Sequence, residues 1–245
     1  MITVALIGPD GSGKSLVTKR LLDALPELPM KRVYMGINLE ASNIMLPTTW
    51  LLVVAKQAGG GRPDMAGPYE PDFSKPASKN PLKRVLAEIK AWGLLINRVA
   101  EEWYRQLITW IYLKRGYHVL FDRHFVLDYY FHDMQYNDKR KPITRRIHGY
   151  LLSRFYPRPH LVICLDAPAE VLFARKSEGT VEILARRRLE LLSLCAVLPA
   201  FQVVDATQPV EQVVAQTAEK IRAFIAAQPE SGQQRLVKKP TVREV

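Results

Sequence analysis

The sequence predicts an α/β protein in which helices cover both faces of a five-stranded parallel sheet. The chain has 245 residues, of which 48% are apolar, so it can bury one large core. Short apolar segments alternate with segments of helical periodicity along most of its length. Because a short connection from a strand through a helix to the next strand makes the two strands parallel, this alternation predicts a three-layer sandwich.

Five strands are predicted where short apolar segments end in turn residues. The first, Ile2–Ile7, is almost continuously apolar, which is typical of a central parallel strand buried on both faces. The other four are predicted at Lys31–Met35, Tyr117–Phe121, Leu161–Leu165 and Gln202–Val204.

Helices are predicted where apolar residues recur every three or four positions. The longest, Leu82–Arg115, is followed by Gly116, a common residue just after a helix. Its tryptophans Trp92, Trp103 and Trp110 fall on one apolar face, which predicts core packing rather than stacking on a nucleobase. The remaining helices are predicted at Ser15–Leu25, Asn43–Lys56 (with a disturbance at Pro47), Ile143–Phe155, Ala169–Lys176, Val181–Leu194 and Val210–Ala227.

Two segments lack this periodicity. Residues 57–81 contain four glycines and five prolines, and we expect a long irregular insertion there. Residues 227–245 are rich in Gln, Lys and Pro, which predicts a disordered basic tail. One folded domain is therefore expected over residues 1–226.

The charge is strongly positive. Lys and Arg number 35 against 24 Asp and Glu, so the formal net charge is +11, which predicts attraction to phosphates. Seven basic residues and no acidic residue lie between Lys139 and Arg158. A solvated helix face is the favoured interpretation of this stretch, and an anion-binding or partner-binding patch is the alternative.

Cysteine content and apolar runs limit the class of protein. The cysteines Cys164 and Cys195 lie in apolar sequence, which predicts that both are buried, and they are too few for a disulfide scaffold or a zinc site. This favours a reducing, cytoplasmic setting. No basic region precedes the apolar segment at Ile2–Ile7, so a signal peptide is not expected. No run of about eighteen uncharged apolar residues occurs, so no membrane-spanning helix is expected.

One motif is specific. Residues 8–15 read Gly8-Pro9-Asp10-Gly11-Ser12-Gly13-Lys14-Ser15 and match G-x-x-x-x-G-K-[ST], directly after a predicted strand and before a predicted helix. The glycines let successive N–H groups converge on one anion, and the helix adds its positive N-terminal end. In such a loop Lys14 reaches the β- and γ-phosphates and the Ser15 hydroxyl binds Mg²⁺. The sequence therefore predicts a loop that binds the phosphates of a nucleotide.

A second polar group follows the third predicted strand. That strand ends in Asp122-Arg123-His124, which puts a carboxylate and a guanidinium at the carboxyl edge of the predicted sheet. Ligands of open α/β sheets bind at this edge, and a magnesium–nucleotide site needs a carboxylate besides the loop hydroxyl. Asp122 and Arg123 are therefore candidate site residues.

These segments together resemble the thymidylate kinase-like branch of the P-loop nucleotide and nucleoside kinases. The resemblance is carried by Gly8–Ser15, by Gly116–His124, by Leu165-Asp166-Ala167-Pro168 leading to Arg175, and by Val204-Asp205-Ala206. It implies a P-loop NTPase fold over most of residues 1–226, with ATP and Mg²⁺ as phosphoryl donor. It also implies a lid at about residues 175–188.

The resemblance implies a role for each site residue. Catalysis is assigned to Lys14, Asp122, Arg123 and Arg175, with Arg123 holding the acceptor. Ser15 and Asp122 are assigned to Mg²⁺. Nucleotide binding is assigned to residues 8–15 with Arg175 and Arg186, the latter from the cluster Arg186-Arg187-Arg188. An arginine that closes over the γ-phosphate also has a physical reason, because it neutralises charge on the transferred group.

The acceptor is left open by one departure from the family. Thymidylate kinases carry an Arg-Glu-Pro-Gly-Gly type of motif after the second strand, where this chain reads Val33-Tyr34-Met35-Gly36. The acceptor is therefore dTMP, a related nucleotide or nucleoside, or a non-nucleotide such as a sugar or glycan precursor. Arg98 is a candidate ligand of an acceptor phosphate, with solvation the favoured alternative.

Two other classes of function remain as alternatives. A regulatory nucleotide-binding protein fits the loop, although the Asn-Lys-x-Asp and Asp-x-x-Gly motifs of switch GTPases are absent from the sequence. A nucleic-acid binder would use the basic stretch at 139–158 and show strongly salt-dependent binding, but nucleic acid is not the favoured partner. The expected partners are a small phosphoryl acceptor and, through the long helix at 82–115, a second copy of the chain.

Overall fold

All five strands belong to one parallel sheet with the order β2-β3-β1-β4-β5. A computed structural model describes residues 1–37, 42, 44–58, 80–135, 141–177 and 179–228. The strands are β1 (Thr3–Ile7), β2 (Met30–Tyr34), β3 (His118–Asp122), β4 (Leu161–Asp166) and β5 (Phe201–Asp205). The predicted α/β class with a five-stranded parallel sheet is confirmed, and each strand lies within one or two residues of its predicted position.

Burial along the strands follows their place in the sheet. Every residue of β1 and β3 is buried, whereas three of the five residues of β2 and four of the five residues of β5 are partly or fully exposed. In the parallel ladders Val4 pairs with Leu161 and Cys164 with Val203. Cys164 is therefore an interior residue of β4, but Cys195 is exposed, contrary to the expectation from its apolar surroundings.

Most helices begin and end close to the predicted positions. They are α1 (Lys14–Ala24), α2 (Pro47–Ala58), α3 (Pro81–Lys114), α4 (Phe125–Asp128), α5 (Ile143–Phe155), α6 (Ala169–Lys176), α7 (Val181–Ser193) and α8 (Val210–Ala226), with a π-helix at Tyr130–Gln135 and a 3₁₀ turn at Leu194–Ala196. The predicted disturbance at Pro47 is the start of α2, where proline suits the first turn. The short α4 and the π-helix were not predicted.

The chain divides into two compact units. The first comprises Met1–Arg32, Trp110–Leu120 and Pro159–Val245, and the second comprises Val33–Thr109 and Phe121–Arg158. In the first unit, apolar residues of β1, β4, α1 and α8 form the core, among them the fully buried Leu6, Ile163, Leu21 and Ile221. This core contains residues of β1, the strand before the predicted phosphate loop, and of α1, the helix after it.

The second unit buries a polar face of α3. The buried residues of that helix are Leu95, Glu101, Glu102, Arg105, Gln106 and Thr109. Trp92 and Trp110 are 39% and 40% exposed, so the predicted core packing of these two side chains is wrong. Trp103 is half-buried and its ring lies 4.9 Å from that of Tyr156.

Parts of three predictions lie outside the described residues. Of the predicted insertion at 57–81, residues 57–58 belong to α2 and residue 81 to α3, and residues 59–79 are not described. The predicted tail is undescribed from residue 229 onward, and the basic stretch is described from Lys141. Among the described helices, none combines the length and the apolar character that a membrane span requires.

Candidate functional site

The predicted phosphate loop connects β1 to α1. Gly13 precedes the helix in the left-handed conformation, with φ of 84°, and no side chain caps the helix start. The first turn of α1 contains no acidic residue. The N–H groups of a first helical turn have no acceptor within the helix, and the helix dipole places partial positive charge there. The start of α1 therefore has the features of an anion site.

Two glycines of the loop are required by close approaches of the backbone. A Cβ on Gly8 would lie 2.5 Å from the carbonyl oxygen of Leu165 at the end of β4. A Cβ on Gly11 would lie 2.5 Å from the carbonyl oxygen of Leu172 in α6. By contrast, a Cβ on Gly13 would have no neighbour within 4 Å. The loop is thus seated on β4 and α6, while a side chain at Gly13 would point into open space.

The side chain of Lys14 folds back over the loop. Its ammonium donates a hydrogen bond of 2.6 Å to the carbonyl of Pro9 and one of 3.4 Å to the hydroxyl of Ser12. Lys14 is only 5% exposed, so its side chain lies within the loop rather than in solvent. The next residue, Ser15, is exposed at the start of α1. An ammonium held in the loop and a hydroxyl oxygen beside it suit a phosphate and Mg²⁺, which prefers oxygen ligands.

The predicted lid begins at the end of α6. Arg175 donates a hydrogen bond of 2.8 Å to the carbonyl oxygen of Ala206, just beyond β5. Between α6 and α7 two residues have a left-handed backbone: Ser177, which follows α6, has φ of 52°, and Gly179 has φ of 75°. In its observed contact Arg175 is tied to the segment that follows β5.

The three consecutive arginines of α7 have different surroundings. Arg188 forms a bidentate pair with Asp166, the last residue of β4, at 2.6 and 2.8 Å. Arg187 pairs with Glu190 on its own helix at 3.4 Å, and Arg186, predicted to bind nucleotide, is exposed. The Asp166–Arg188 pair was missed because sequence gives no measure of which face of α7 meets β4.

We expect Arg175→Ala to lower turnover by about 10- to 100-fold while changing the Kd of ATP much less. A lid arginine acts mainly on charge that develops in the transition state. Steady-state kinetics and calorimetric ATP titration measure the two quantities. Arg187→Ala is the matched control, because it removes an arginine of α7 that pairs with Glu190 of the same helix. Equal losses of turnover and affinity would assign Arg175 a binding or structural role instead.

In the second unit, β3 ends at the predicted site residue Asp122. Its side chain is completely buried, and its carbonyl oxygen accepts a hydrogen bond of 3.1 Å from the N–H of Met35. The following residue, Arg123, has φ of 66°, a left-handed conformation that costs a residue other than glycine about 1–2 kcal/mol. Such conformations concentrate at functional sites, where the surrounding structure maintains them. The backbone geometry therefore singles out Arg123.

His124 is a packing residue. Its ring lies 5.0 Å from that of Phe121 and 5.1 Å from that of Phe125. Burial lowers the pKa of His124 to about 3, so the imidazole is neutral at physiological pH. It supplies no charge beside Arg123.

A buried cluster of charged side chains in the second unit was not predicted. His148 of α5 is completely buried, with Nδ1 2.7 Å from Asp133 of the π-helix and Nε2 3.0 Å from Glu102 of α3. Since both partners are carboxylates, each ring nitrogen carries a proton to bond them. Burial alone would lower the pKa of His148, but the bonds to Asp133 and Glu102 outweigh burial and raise it.

Other groups face the same histidine. The ring of Tyr129 meets that of His148 edge-on at 4.8 Å, and Arg145 lies 3.4 Å from Asp133. The guanidinium of Arg98, a candidate acceptor ligand in the sequence, stacks over Tyr129 at 5.2 Å from the ring centre. A Cβ on Gly149 would lie 2.1 Å from the carbonyl oxygen of Asp133, so α5 and the π-helix are in close contact. The cluster thus joins α3, the π-helix and α5.

The raised pKa of His148 predicts that the cluster stabilises the fold less as pH rises above the ordinary histidine pKa of about 6.5. The folded state binds the proton of His148 more tightly than the unfolded state does, and this stabilises the fold. The stabilisation is complete at pH values below the unfolded pKa of about 6.5, and it is lost as pH rises through the higher pKa of the folded state. In that window the free energy of unfolding should fall by up to about 1.4 kcal/mol per pH unit. Urea unfolding at several pH values measures the slope. His148→Gln, which donates hydrogen bonds without titrating, should flatten it; identical slopes would refute the prediction.

Part of the basic stretch is internal rather than solvated. Lys141 is buried and donates to the carbonyl oxygen of His132, and Arg145 pairs with Asp133 as described above. Arg146 and Arg154 of α5 are exposed. Two of the described basic residues therefore hold the π-helix, and the solvated-face interpretation applies to Arg146 and Arg154.

The site residues divide between the two units. Residues 8–15, Arg175 and Arg186 belong to the first, and Asp122 and Arg123 to the second. The loop, the strand ends and the helix starts lie where the sequence predicted them. Comparison of the chain with models of known protein families and with curated proteins gives no match. A functional assignment therefore depends on the residues themselves.

Proposed function

We propose that the protein is an ATP-dependent kinase that transfers the γ-phosphoryl group to a small acceptor. The observation that carries the proposal is the loop at Gly8–Ser15, which combines the complete phosphate-loop motif with a strand before it and a helix after it. Two glycines seated on backbone carbonyls, an ammonium held in the loop and an uncapped helix start all suit the binding of nucleotide phosphates.

The first unit would bind the donor. Lys14 would neutralise charge on the β- and γ-phosphates, and Arg175 would stabilise the transferred group. Ser15 of the loop would bind Mg²⁺, and the assignment of Asp122 to Mg²⁺ is what the family resemblance implies. Mg²⁺ bound to nucleotide phosphates neutralises charge that develops during transfer. Catalysis of this kind consists mainly of positioning and charge stabilisation, so these side chains need form no covalent intermediate.

The second unit would receive the acceptor, with Arg123 as its ligand. A nucleotide or nucleoside acceptor, dTMP included, follows from the family resemblance. A sugar or glycan precursor is the second candidate, and the segment after β2 favours it: Met35 and Gly36 stand there in place of the Arg-Glu-Pro-Gly-Gly type of motif, and the carbonyl of Gly36 is occupied by Arg105 at 2.9 Å.

A screen of acceptors tests the proposal. The purified chain with ATP and Mg²⁺ is incubated with nucleosides, nucleoside monophosphates and sugars, and ADP release is measured beside formation of the phosphorylated product. We expect one chemical class to raise ADP release well above the rate with water alone. Stoichiometric ADP and product would identify the acceptor class.

Two outcomes would contradict the proposal. In the first, ATP is hydrolysed but no acceptor is phosphorylated, and a partner protein binds the chain in only one nucleotide state. This result would indicate a regulatory nucleotide-binding protein. The second is an absence of ATP binding with strongly salt-dependent binding of DNA or RNA, which would indicate a nucleic-acid binder.

A further inference from the structure

We infer that Gly36 and Arg105 are positioning residues that hold Arg123 in the pose in which it would grip the acceptor. The inference rests on the role proposed for Arg123 and adds two residues that the phosphate-loop motif and the Asp122-Arg123 pair do not include. All the contacts that carry it lie within the second unit.

The first contact is a close approach at Gly36. A Cβ on this residue would lie 2.7 Å from Cδ of Arg123 and 2.6 Å from the hydroxyl oxygen of Tyr34. No side chain larger than hydrogen fits at such distances without moving its neighbours. The stem of Arg123 therefore lies against the bare α-carbon of Gly36, with the phenol of Tyr34 beside it.

The second contact fixes the backbone of Gly36. Arg105 of α3, 2% exposed, donates from Nη1 to the carbonyl oxygen of Gly36 at 2.9 Å and from Nε to Glu101 at 3.0 Å. Glu101 in turn accepts a hydrogen bond of 2.9 Å from the N–H of Leu46. The buried Arg105 thus links the segment after β2 to α3. Through Glu101, α3 is also linked to the segment before α2.

The third contact joins the backbone after β2 to the end of β3. The N–H of Met35 donates to the carbonyl oxygen of Asp122, the residue before Arg123. Tyr34 is almost fully buried, and burial raises the pKa of Tyr34 to about 12, so the phenol stays neutral next to Arg123. Backbone and side chain of the Asp122-Arg123 pair are therefore both held by residues 34–36.

These contacts also account for the backbone of Arg123. A left-handed φ is unfavourable for arginine. Gly36 lies against the side chain of Arg123, and Met35 donates to the carbonyl of Asp122, so the surrounding residues maintain this conformation. A guanidinium held in this way loses little freedom when it binds a ligand, and small displacements of such a group are costly for catalysis. Gly36 and Arg105 thus act through Arg123.

The first experiment needs no acceptor. In ¹⁵N-labelled protein, the Nε–Hε signal of Arg123 is assigned by its loss in Arg123→Lys and then compared in Gly36→Ala and Arg105→Lys. We expect both variants to shift it. The matched control is Gly93→Ala in α3, because a Cβ there meets no atom within 4 Å. An unmoved Arg123 signal in a folded Gly36→Ala protein would overturn the inference.

The second experiment uses the acceptor found by the screen. Gly36→Ala should lower kcat/KM for the acceptor by about 10- to 100-fold, with the Kd of ATP unchanged. In an Arg123→Ala background the same change should have little further effect, because the two residues act as one unit. Additive losses, or no loss in Gly36→Ala, would overturn the positioning role.

The two proposals fail in different ways. If Lys14→Ala abolishes transfer while Gly36→Ala and Arg105→Lys leave acceptor kinetics unchanged, the kinase assignment stands and the positioning role is wrong. If no acceptor is phosphorylated but the Arg123 signal moves in Gly36→Ala, the kinase assignment is wrong and Gly36 only packs against Arg123.

Discussion

Replacing Lys14 with alanine should lower phosphoryl transfer by about 10²- to 10³-fold, the largest effect we expect from any change in the phosphate loop. The ammonium is the positive side chain that the loop itself provides, and in the structure it donates to the Pro9 carbonyl and the Ser12 hydroxyl. A nucleotide phosphate can therefore replace these neutral acceptors with a gain in charge complementarity. Initial rates of ADP formation at saturating ATP, with a parallel ATP titration, measure the loss.

Lys14 is also buried, so its removal must be separated from damage to the fold. Lys19→Ala, which removes an exposed lysine from the same helix, is the matched control and should keep full activity. Circular dichroism and melting temperature of both variants test the fold. A folded Lys14→Ala protein with normal turnover would refute the assignment of residues 8–15 as a phosphate loop.

The parts of the fold that sequence predicted are those set by local constraints. β1 is nearly all apolar because both its faces are covered, and such a run can be recognised without knowing its neighbours. The loop after it matches an eight-residue motif that can be recognised within the loop itself, although the carbonyls that require glycine at Gly8 and Gly11 belong to Leu165 and Leu172. Motif, strand and helix start were therefore predictable together.

The buried face of α3 was not predictable in this way. Periodicity selects the apolar stripe of a helix as its inner face, but this helix buries Glu101, Glu102 and Arg105 while Ile89 and Ile96 are 63% and 66% exposed. Those charges are accommodated by partners remote in sequence, His148 for Glu102 and the Gly36 carbonyl for Arg105. No single-sequence pattern reports such pairings. The exposed stripe lies on the helix for which a homodimer was predicted, and that dimer stays a prediction.

The candidate site divides in the same manner. The sequence identifies four site residues because each lies at or shortly after the end of a predicted strand: Lys14, Ser15, Asp122 and Arg123. The environment that holds Arg123 was missed, since Gly36 resembles an ordinary loop glycine and Arg105 an ordinary surface residue of a long helix. The one available signal was the absence of the family's usual motif after the second strand, which indicated that this region is built differently.

Asp122→Asn is expected to lower transfer by about 10²-fold or more while leaving the fold intact. The change keeps the size of the side chain and one oxygen but removes the negative charge that the proposed role requires for Mg²⁺. Binding of ATP in the presence of EDTA should be unchanged or slightly tighter, because without a cation a carboxylate near phosphates repels them. Calorimetry with and without Mg²⁺, beside the rate of ADP formation, measures these effects.

Asp166→Asn is the matched control that separates a catalytic role of Asp122 from a structural one. Asp122 and Asp166 are each the last residue of a strand, and Asp166 forms a bidentate pair with Arg188 at 2.6 and 2.8 Å. Loss of that pair should lower the melting temperature and leave most of the turnover per folded molecule. If Asp122 were structural in the same sense, its asparagine variant would behave like that of Asp166. A stable and fully active Asp122→Asn protein would remove Asp122 from the reaction and leave the kinase proposal dependent on the phosphate loop.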